Sequence, residues 1–492
     1  MLNGKARNRN SGICVGSQNS VSEIKHEWKD LERGTFVKNV FSIAVAAVVI
    51  ALFSVGAVVH ANEKPNIVFI FADDWGYGDL GCHGSTTFKT PNLDRLAREG
   101  IDFQNFTVCN PVCSPSRTAV MTGQFPARHC IHQHFADVEH HQMAGMPDWL
   151  DPNVPMLPRL LKQAGYVTGH FGKWHLTNTH VKDAPLPPAY GYDEYGAFNV
   201  PGKQIGVADA CPLAANFIRR HRDKPFFVNV WIHETHTPHY PKDTFLKQFE
   251  HLDEQQRVYA AVVAAGDAGV GLILDTLREL NLDKNTLVIF SSDNGPEWTG
   301  PNSGKKLGDI STGAGLGTYY SVGTTAGLKG RKRSLFAGGV RTPFIARWPG
   351  VIPAGKTDRS SVISAVDLLP TFLTLAGRDL PESYRPDGES IVSALQGKPF
   401  QRTRPIYWEW RGNHGREHLW PHLGIRRGKW KLLLNQEMNQ TELYDIEADW
   451  AETRDLSEEH PEVVARLTNQ VLAWKETLPV TPPSHCLSQL RQ

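Results

Sequence analysis

The chain predicts an α/β fold: a large, mostly parallel sheet flanked by helices, followed by a smaller C-terminal α+β domain that contains an antiparallel sheet. Short apolar runs alternate with helical patterns through most of its length, the signature of a sheet covered on both faces. Conspicuous polar residues stand directly after each of those runs, and beyond a stretch rich in Pro, Gly, Arg and Ser near 378–404 the pattern changes to closely spaced strands. These observations divide the chain into a leader (1–61), a large domain (62–399, the boundary near Pro399) and a C-terminal subdomain (400–492).

The leader is basic up to Lys38 and is followed by an apolar run, Val40–Val59, then Val59-His60-Ala61 and polar residues from Asn62. This reads as an export signal cleaved before Asn62. The run is also long enough to span a bilayer, so an uncleaved membrane anchor is the alternative, and either outcome puts the folded part outside the cytoplasm. The apolar runs that follow are Asn66–Ala72, Tyr166–Gly169, Phe226–Ile232 and Leu287–Phe290. Between them, one helix takes Thr90 as N-cap and Pro91 as first residue, turns Leu93, Leu96 and Ala97 to one face and stops at Gly100. A longer one covers Glu254–Leu280, with Val258, Ala261, Val262 and Ala265 at helical spacing. In the C-terminal part, Ile406–Trp410, Leu423–Ile425, Lys429–Leu433 and Glu442–Asp445 read as the antiparallel sheet and Pro461–Glu476 as a helix.

The chain has 492 residues, 40% of them hydrophobic, ample for one large core and a smaller companion. Lys plus Arg number 52 against 51 Asp plus Glu, so no global field argues for nucleic acid or an anionic membrane surface. Of seven cysteines, Cys14 falls in the leader; Cys82, Cys109, Cys113, Cys130, Cys211 and Cys486 follow it, and no CxxC pair points to zinc or redox work.

The polar clusters are Asp73-Asp74 after the first run, Lys173-Trp174-His175 after the second, His233 to His239 after the third and Asp293-Asn294 after the fourth. In open α/β sheets the ligand crevice lies beyond the carboxyl ends of the strands, so these chain-distant clusters converge there. Asp73, Asp74, Asp293 and Asn294 make an all-oxygen set of hard donors, suited to Ca²⁺ or Mg²⁺ rather than zinc or copper.

Cys113-Ser-Pro-Ser-Arg117, closed by Thr122-Gly123, stands at a helix start. Pro115 falls in a first turn, which tolerates a residue lacking N–H; free backbone N–H groups there attract anions, and Arg117 adds a fork of donors suited to a tetrahedral oxyanion. Read alone, the cysteine could equally be a structural thiol or a disulfide partner of Cys109.

The segment resembles the signature of the sulfatase family, members of the alkaline-phosphatase-like superfamily, in which the cysteine of Cys-x-Pro-Ser-Arg is oxidised to formylglycine by a separate maturation enzyme. Every fixed position, Cys113, Pro115, Ser116, Arg117, Thr122 and Gly123, is present. The resemblance implies that Asp73, Asp74, Asp293 and Asn294, with the residue made from Cys113, hold a metal ion, Ca²⁺ before Mg²⁺. Gly172-Lys173-Trp174-His175 is similar to a second family signature, with Phe171 bulkier than usual before it. It implies sulfate binding by Lys173 and proton removal by His175.

In His233–Pro241 the family equivalent is the histidine before Tyr-Pro, which is His239, with His236 a neighbour. Lys332 is expected beside His239 at the ester oxygen, with Lys329 a close alternative. Ala337 stands before Gly338-Gly339 where relatives often carry glutamate, so a salt bridge in that loop is expected to be loosened. The likeness extends over nearly all of residues 64–480.

The implied reaction is attack on sulfur by one hydroxyl of the hydrated formylglycine. His175 then takes the proton of the second hydroxyl and sulfate is expelled, a step an ordinary serine or cysteine could not complete. The substrate expected is a sulfated carbohydrate, and the loop Gly-Arg331-Lys332-Arg333-Ser-Leu-Phe resembles that of sulfatases acting on N-acetylgalactosamine 6-sulfate and related carbohydrates. Trp408–His422 has the aromatic and imidazole content of a sugar-binding rim, or of strand packing. Rival readings are a phosphate or phosphonate monoester hydrolase of the same superfamily, and a catalytically silent carbohydrate-binding protein in which Cys113 stays a thiol.

Overall fold

The computed structural model describes residues 64–491 apart from 303–305, 309–314, 413–420, 436 and 438. The leader and the apolar run Val40–Val59 therefore lie outside the described residues. Residues from Lys64 onward pack as one compact unit.

In chain order the strands are β1 (Asn66–Ala72), β2 (Ile101–Phe103), β3 (Phe106–Thr107), β4 (Val167–Lys173), β5 (Glu194–Phe198), β6 (Phe226–Trp231), β7 (Thr286–Ser292), β8 (Phe344–Arg347), β9 (Lys356–Asp358) and β10 (Ile363–Ser364). Eight of them form one sheet in the order β5-β4-β6-β1-β7-β8-β2-β9, while β3 pairs with β10. Within the large sheet only β8 runs against its neighbours, β7 and β2. A C-terminal antiparallel sheet follows, β11 (Ile406–Glu409), β12 (Leu423–Arg427), β13 (Trp430–Leu434) and β14 (Thr441–Asp445), each hydrogen-bonded to the next.

Alternation along β1 explains the layers. Ile67, Phe69 and Phe71 enter one apolar cluster, which continues to the C-terminal sheet, whereas Val68, Ile70 and Ala72 enter another on the opposite face. The second cluster is closed by the helices Ala210–Arg220 and Glu254–Glu279. Each large apolar side chain fully buried this way contributes about 1.5–3 kcal/mol. Glu254–Glu279 is the one described helix long and apolar enough to cross a membrane, and it is instead buried against this sheet. The helix Pro461–Glu476 lies on the C-terminal sheet through Val463, Leu467, Val471 and Trp474, with the Trp474 ring stacked on Tyr407 at 4.7 Å.

One expectation is corrected and two are made specific by the side-chain contacts. The second apolar run is longer than the sequence indicates: β4 continues through the glycines to Lys173, so that lysine is the last strand residue. Gly172 makes this possible, because its φ is +114° and a Cβ would stand 2.0 Å from the Trp231 carbonyl oxygen of β6. Thr90 stands at the N-cap of the helix Pro91–Arg98 as expected, its backbone oxygen accepting from Asp94 N, but its Oγ1 accepts from Gly81 N and donates to the Asp94 carboxylate. Asp267, from the long helix, accepts from the N–H groups of Asn92 and Leu93 instead. Of the two readings of Trp408–His422, Trp408 and Trp410 follow strand packing: both are buried, and Trp408 Nε1 donates to Val108 O. Residues 413–420 of that stretch lie outside the described residues.

Candidate active site

The strand order places β1 between β6 and β7, and four of the polar clusters meet beyond the carboxyl ends of β1, β4, β6 and β7. Asp293 N donates to Ala72 O and Asp293 Oδ1 accepts from Asp74 N at 3.2 Å, locking the β1 and β7 ends together. Thr235 Oγ1, after β6, donates to Asp73 O.

Cys113 opens the helix Cys113–Thr122, every residue of which is buried. Its Sγ is 3.3 Å from Asp73 Oδ1 and 3.5 Å from Lys173 Nζ. Gly123 ends the helix at φ +68°, its N–H returning to Ala119 O. Arg117, one turn from Cys113, donates to Asp293 Oδ2 at 2.5 Å, lies 3.7 Å from Asp73 and stacks its guanidinium over Trp231 at 4.8 Å.

Three buried carboxylates, Asp73, Asp74 and Asp293, thus share a small volume with Arg117, Lys173 and Lys332. Lys173 Nζ is 2.6 Å from Asp73 Oδ2, and Lys332 Nζ is 2.6 Å from Asp74 Oδ2. Burial, with Asp73 close by, pushes the Asp74 pKa to about 6 despite Lys332, and that of Asp293 to about 7 despite Arg117. Asp73 is held well below the usual carboxylate range because His236, Lys173 and His233 outweigh its burial. Asn294 Nδ2 donates to Asp74 Oδ1 and to Gly295 O, leaving its buried Oδ1 without a hydrogen-bond partner among the described residues. An orphan oxygen beside three carboxylates fits a hard divalent cation.

A cavity of about 400 Å³ opens onto this cluster, lined by Cys113, Lys173, His175, His236, Lys332, Arg333 and Glu297, and by residues 134–137. His175 sits at φ +54° with Nε2 2.9 Å from Phe135 O. The carbonyl can only accept, so Nε2 carries the proton and the buried Nδ1 keeps a lone pair with no partner among the described residues. Burial and Lys173 hold His175 neutral, well below the ordinary histidine pKa.

The expected place of His239 is taken by another residue. His236 lines the cavity, with Nε2 3.7 Å from Asp74 Oδ2, and its ring stacks on His233, whose Nδ1 meets Asp73. His239 is bound away from the cluster: its backbone bridges to Leu316, its Nε2 meets Ser321 Oγ and its ring packs edge-on against Tyr259. Of the two lysine candidates, Lys332 is in the site, while Lys329 pairs with Glu442 and Tyr444 of β14.

The loop at Ala337 is not short of a carboxylate. Glu452, from the segment after β14, accepts from Ala337 N at 2.7 Å and pairs with Lys431 at 2.6 Å.

Sequence reasoning missed three residues that line the cavity, Glu297, His134 and Asn178, the last donating through Nδ2 to Phe135 O. Glu297 lies 3.2 Å from Lys332 and also binds Arg333, and these cations hold its pKa at about 2 despite its burial. The available signal was its position four residues after Asp293. For His134 it was the histidine-rich stretch His129–His141. That stretch is tied down at a distance: Ala136 N donates to His141 Nε2, and His141 Nδ1 meets the buried Asp148 at 2.8 Å.

Residues 65–378 match the family model described as Sulfatase, and residues 330–477 match one described as N-sulphoglucosamine sulphohydrolase, C-terminal. The chain is 33% identical over 390 residues to the N-acetylgalactosamine-6-sulfatase of Canis lupus familiaris, covering 71% of this chain and 69% of that protein. It is 26% identical to the N-acetylgalactosamine-6-O-sulfatase of Bacteroides thetaiotaomicron, covering 83% of this chain and 92% of the relative. The crystal structure of Ps i-CgsB in complex with k-i-k-neocarrahexaose superposes with a TM-score of 0.69 at 27% identity, covering 86% of this chain and 96% of the other.

Proposed function

The chain belongs to the sulfatase family and is a sulfuric ester hydrolase, and from that premise we propose that it removes sulfate from a carbohydrate, 6-sulfated N-acetylgalactosamine first among candidates, through a formylglycine made from Cys113. The observation that carries this reading is the position of Cys113. It opens a buried helix, lies between Asp73 and Lys173, and faces a polar cavity. The names of the relatives support the sugar, and the leader supports an exported enzyme that meets such substrates outside the cytoplasm.

Asp73, Asp74, Asp293 and Asn294 would hold a divalent cation, Ca²⁺ before Mg²⁺, and that cation together with the hydrated aldehyde would supply charge neutralisation and the attacking oxygen. The remaining work falls to groups already in place. Arg117 binds Asp293 and keeps the carboxylate cluster oriented from below. Lys173 Nζ, beside Cys113, is placed to bind a sulfate oxygen, and the helix N-terminus adds backbone donors. His175 Nδ1, neutral and without a hydrogen-bond partner among the described residues, would accept a proton released at position 113, with Phe135 O fixing the tautomer that frees that nitrogen. Burial opposes the charge of Lys332, but Asp74 and Glu297 hold its pKa well above the ordinary value, so Nζ donates to the departing alcohol oxygen, with His236 Nε2 as the adjacent proton-transfer atom.

The test is sulfate release from defined sulfated oligosaccharides, including 6-sulfated galactosamine and galactose, with Cys113→Ala and a phosphate ester alongside. Mass spectrometry of the peptide spanning Cys113 accompanies it, to show conversion by the maturation enzyme. Release by converted protein and none by Cys113→Ala supports the reading and names the sugar. Turnover of the phosphate ester alone would replace it with the phosphoesterase reading, and an unmodified thiol in protein from its native host would sink the formylglycine step.

A further inference from the structure

Away from the active centre, Asp151, His485 and Cys486 bring a carboxylate oxygen, an imidazole nitrogen and a thiol sulfur within 4.8 Å of one another. We propose that these three side chains form a second metal site, for a zinc-type divalent cation, which pins the C-terminal segment to the catalytic body.

The donor chemistry separates this site from the first. Aspartate, histidine and cysteine together suit a borderline-soft cation such as Zn²⁺, whereas the oxygen set at Asp73, Asp74, Asp293 and Asn294 suits a hard one. The ligands come from two chain-distant places, the segment after Leu150 and the short turn Ser484–Cys486, so binding would cross-link them. The surroundings are those of a structural site. Cys486 is buried in an apolar corner with Trp149, Val181 and Ala184. Asp151 accepts from Asn153 N through Oδ1, which leaves Oδ2 turned to His485 Nε2 at 2.9 Å.

The turn is also held without a metal. Asp148 N donates to Cys486 O, Ser488 N donates to Asp148 Oδ2 at 2.7 Å, and Arg491 Nε reaches the same carboxylate at 2.7 Å. The ligands are therefore preorganised before any cation arrives.

Three protein donors leave the fourth tetrahedral position to a water molecule.

Cobalt(II) titration of the full-length chain carrying Cys113→Ser tests this, because the substitution removes the thiol from the Asp73, Asp74, Cys113 and His236 group. The expected result is a thiolate-to-cobalt charge-transfer band saturating at one ion per chain and displaced by zinc. The added substitution Cys486→Ser should abolish the band. His485→Ala should weaken cobalt binding by at least about tenfold, and since that side chain is 54% exposed it keeps the test decisive should Cys486→Ser not fold. No band in the Cys113→Ser chain, or a band that either further substitution leaves unchanged, overturns the site.

Discussion

His236 Nε2 lies 3.7 Å from Asp74 Oδ2, whereas His239, three residues later, turns its Nε2 to Ser321 Oγ at 3.0 Å. Two histidines of one short segment therefore have separate work, the first at the cavity and the second in the packing between Tyr259 and the 316–321 stretch. His236→Ala is expected to lower kcat/KM by about 10²–10⁴-fold, the range for loss of a positioned acid–base group. His239→Ala should instead cost about 1–3 kcal/mol of stability with kcat near that of the parent at low temperature. Steady-state kinetics and urea unfolding of both variants separate the roles; the reverse pattern would restore His239 to the site.

The two lysines of the basic loop invite the same comparison. Lys332→Met leaves Asp74 and Glu297 facing each other across the cavity without their shared cation, and kcat is expected to fall by about 10²–10³-fold. Lys329 pairs with Glu442 at the surface, an arrangement worth about 0–1 kcal/mol, so Lys329→Met should change kcat/KM by less than about twofold. Equal losses in the two variants would show that the loop as a whole, rather than Lys332, is needed.

Asn294 Oδ1 is the test of the cation. Elemental analysis of the purified protein should find one calcium in the oxygen-donor site, and removal by a chelator should abolish sulfate release and lower the Tm. Restored calcium at about 100 times its Kd would return about 2.7 kcal/mol. Asn294→Ala should shift that titration to at least about tenfold higher calcium. A Tm and activity indifferent to chelator would remove the cation from the mechanism.

Much of this arrangement was legible because it is local. Asp73-Asp74, Asp293-Asn294 and the Cys113 helix each follow an apolar run or open a helical pattern, and parallel strands carry such residues to one edge. What escaped the reading depends on the course of the backbone or on distant partners. The motif that favours a histidine before Tyr-Pro pointed to His239, but the bridge from His239 to Leu316 draws that backbone away and leaves His236 at the cavity. The glycines of β4 hid a strand that is formed by close approach to β6 rather than by apolar side chains. The carboxylate that meets Ala337 comes from Glu452, more than a hundred residues later, which no window around Ala337 contains.

Acid sensitivity should originate away from the chemistry, at His170. Its ring lies on β4, fully buried among Trp174, Tyr192 and Trp231, with centroids 4.8–5.3 Å away. Burial, with Arg117 adding repulsion, lowers its pKa from 6.5 to about 3. The sign follows from linkage: between these values the unfolded chain takes up a proton that the folded chain refuses, so folding is favoured fully above pH 6.5 and loses ground as pH falls toward 3. One such group changes stability by up to about 1.4 kcal/mol per pH unit in that window. His170→Phe keeps an aromatic ring in the cage and removes the titration. Urea unfolding of both proteins from pH 7 to pH 4.5 should therefore show the parent losing stability faster than His170→Phe, with the gap widening at each step below pH 6.5. Parallel curves would mean that the folded protein accommodates a charged His170, and the acid loss would then belong to other buried imidazoles such as His129 and His239, each lowered by burial to about 4.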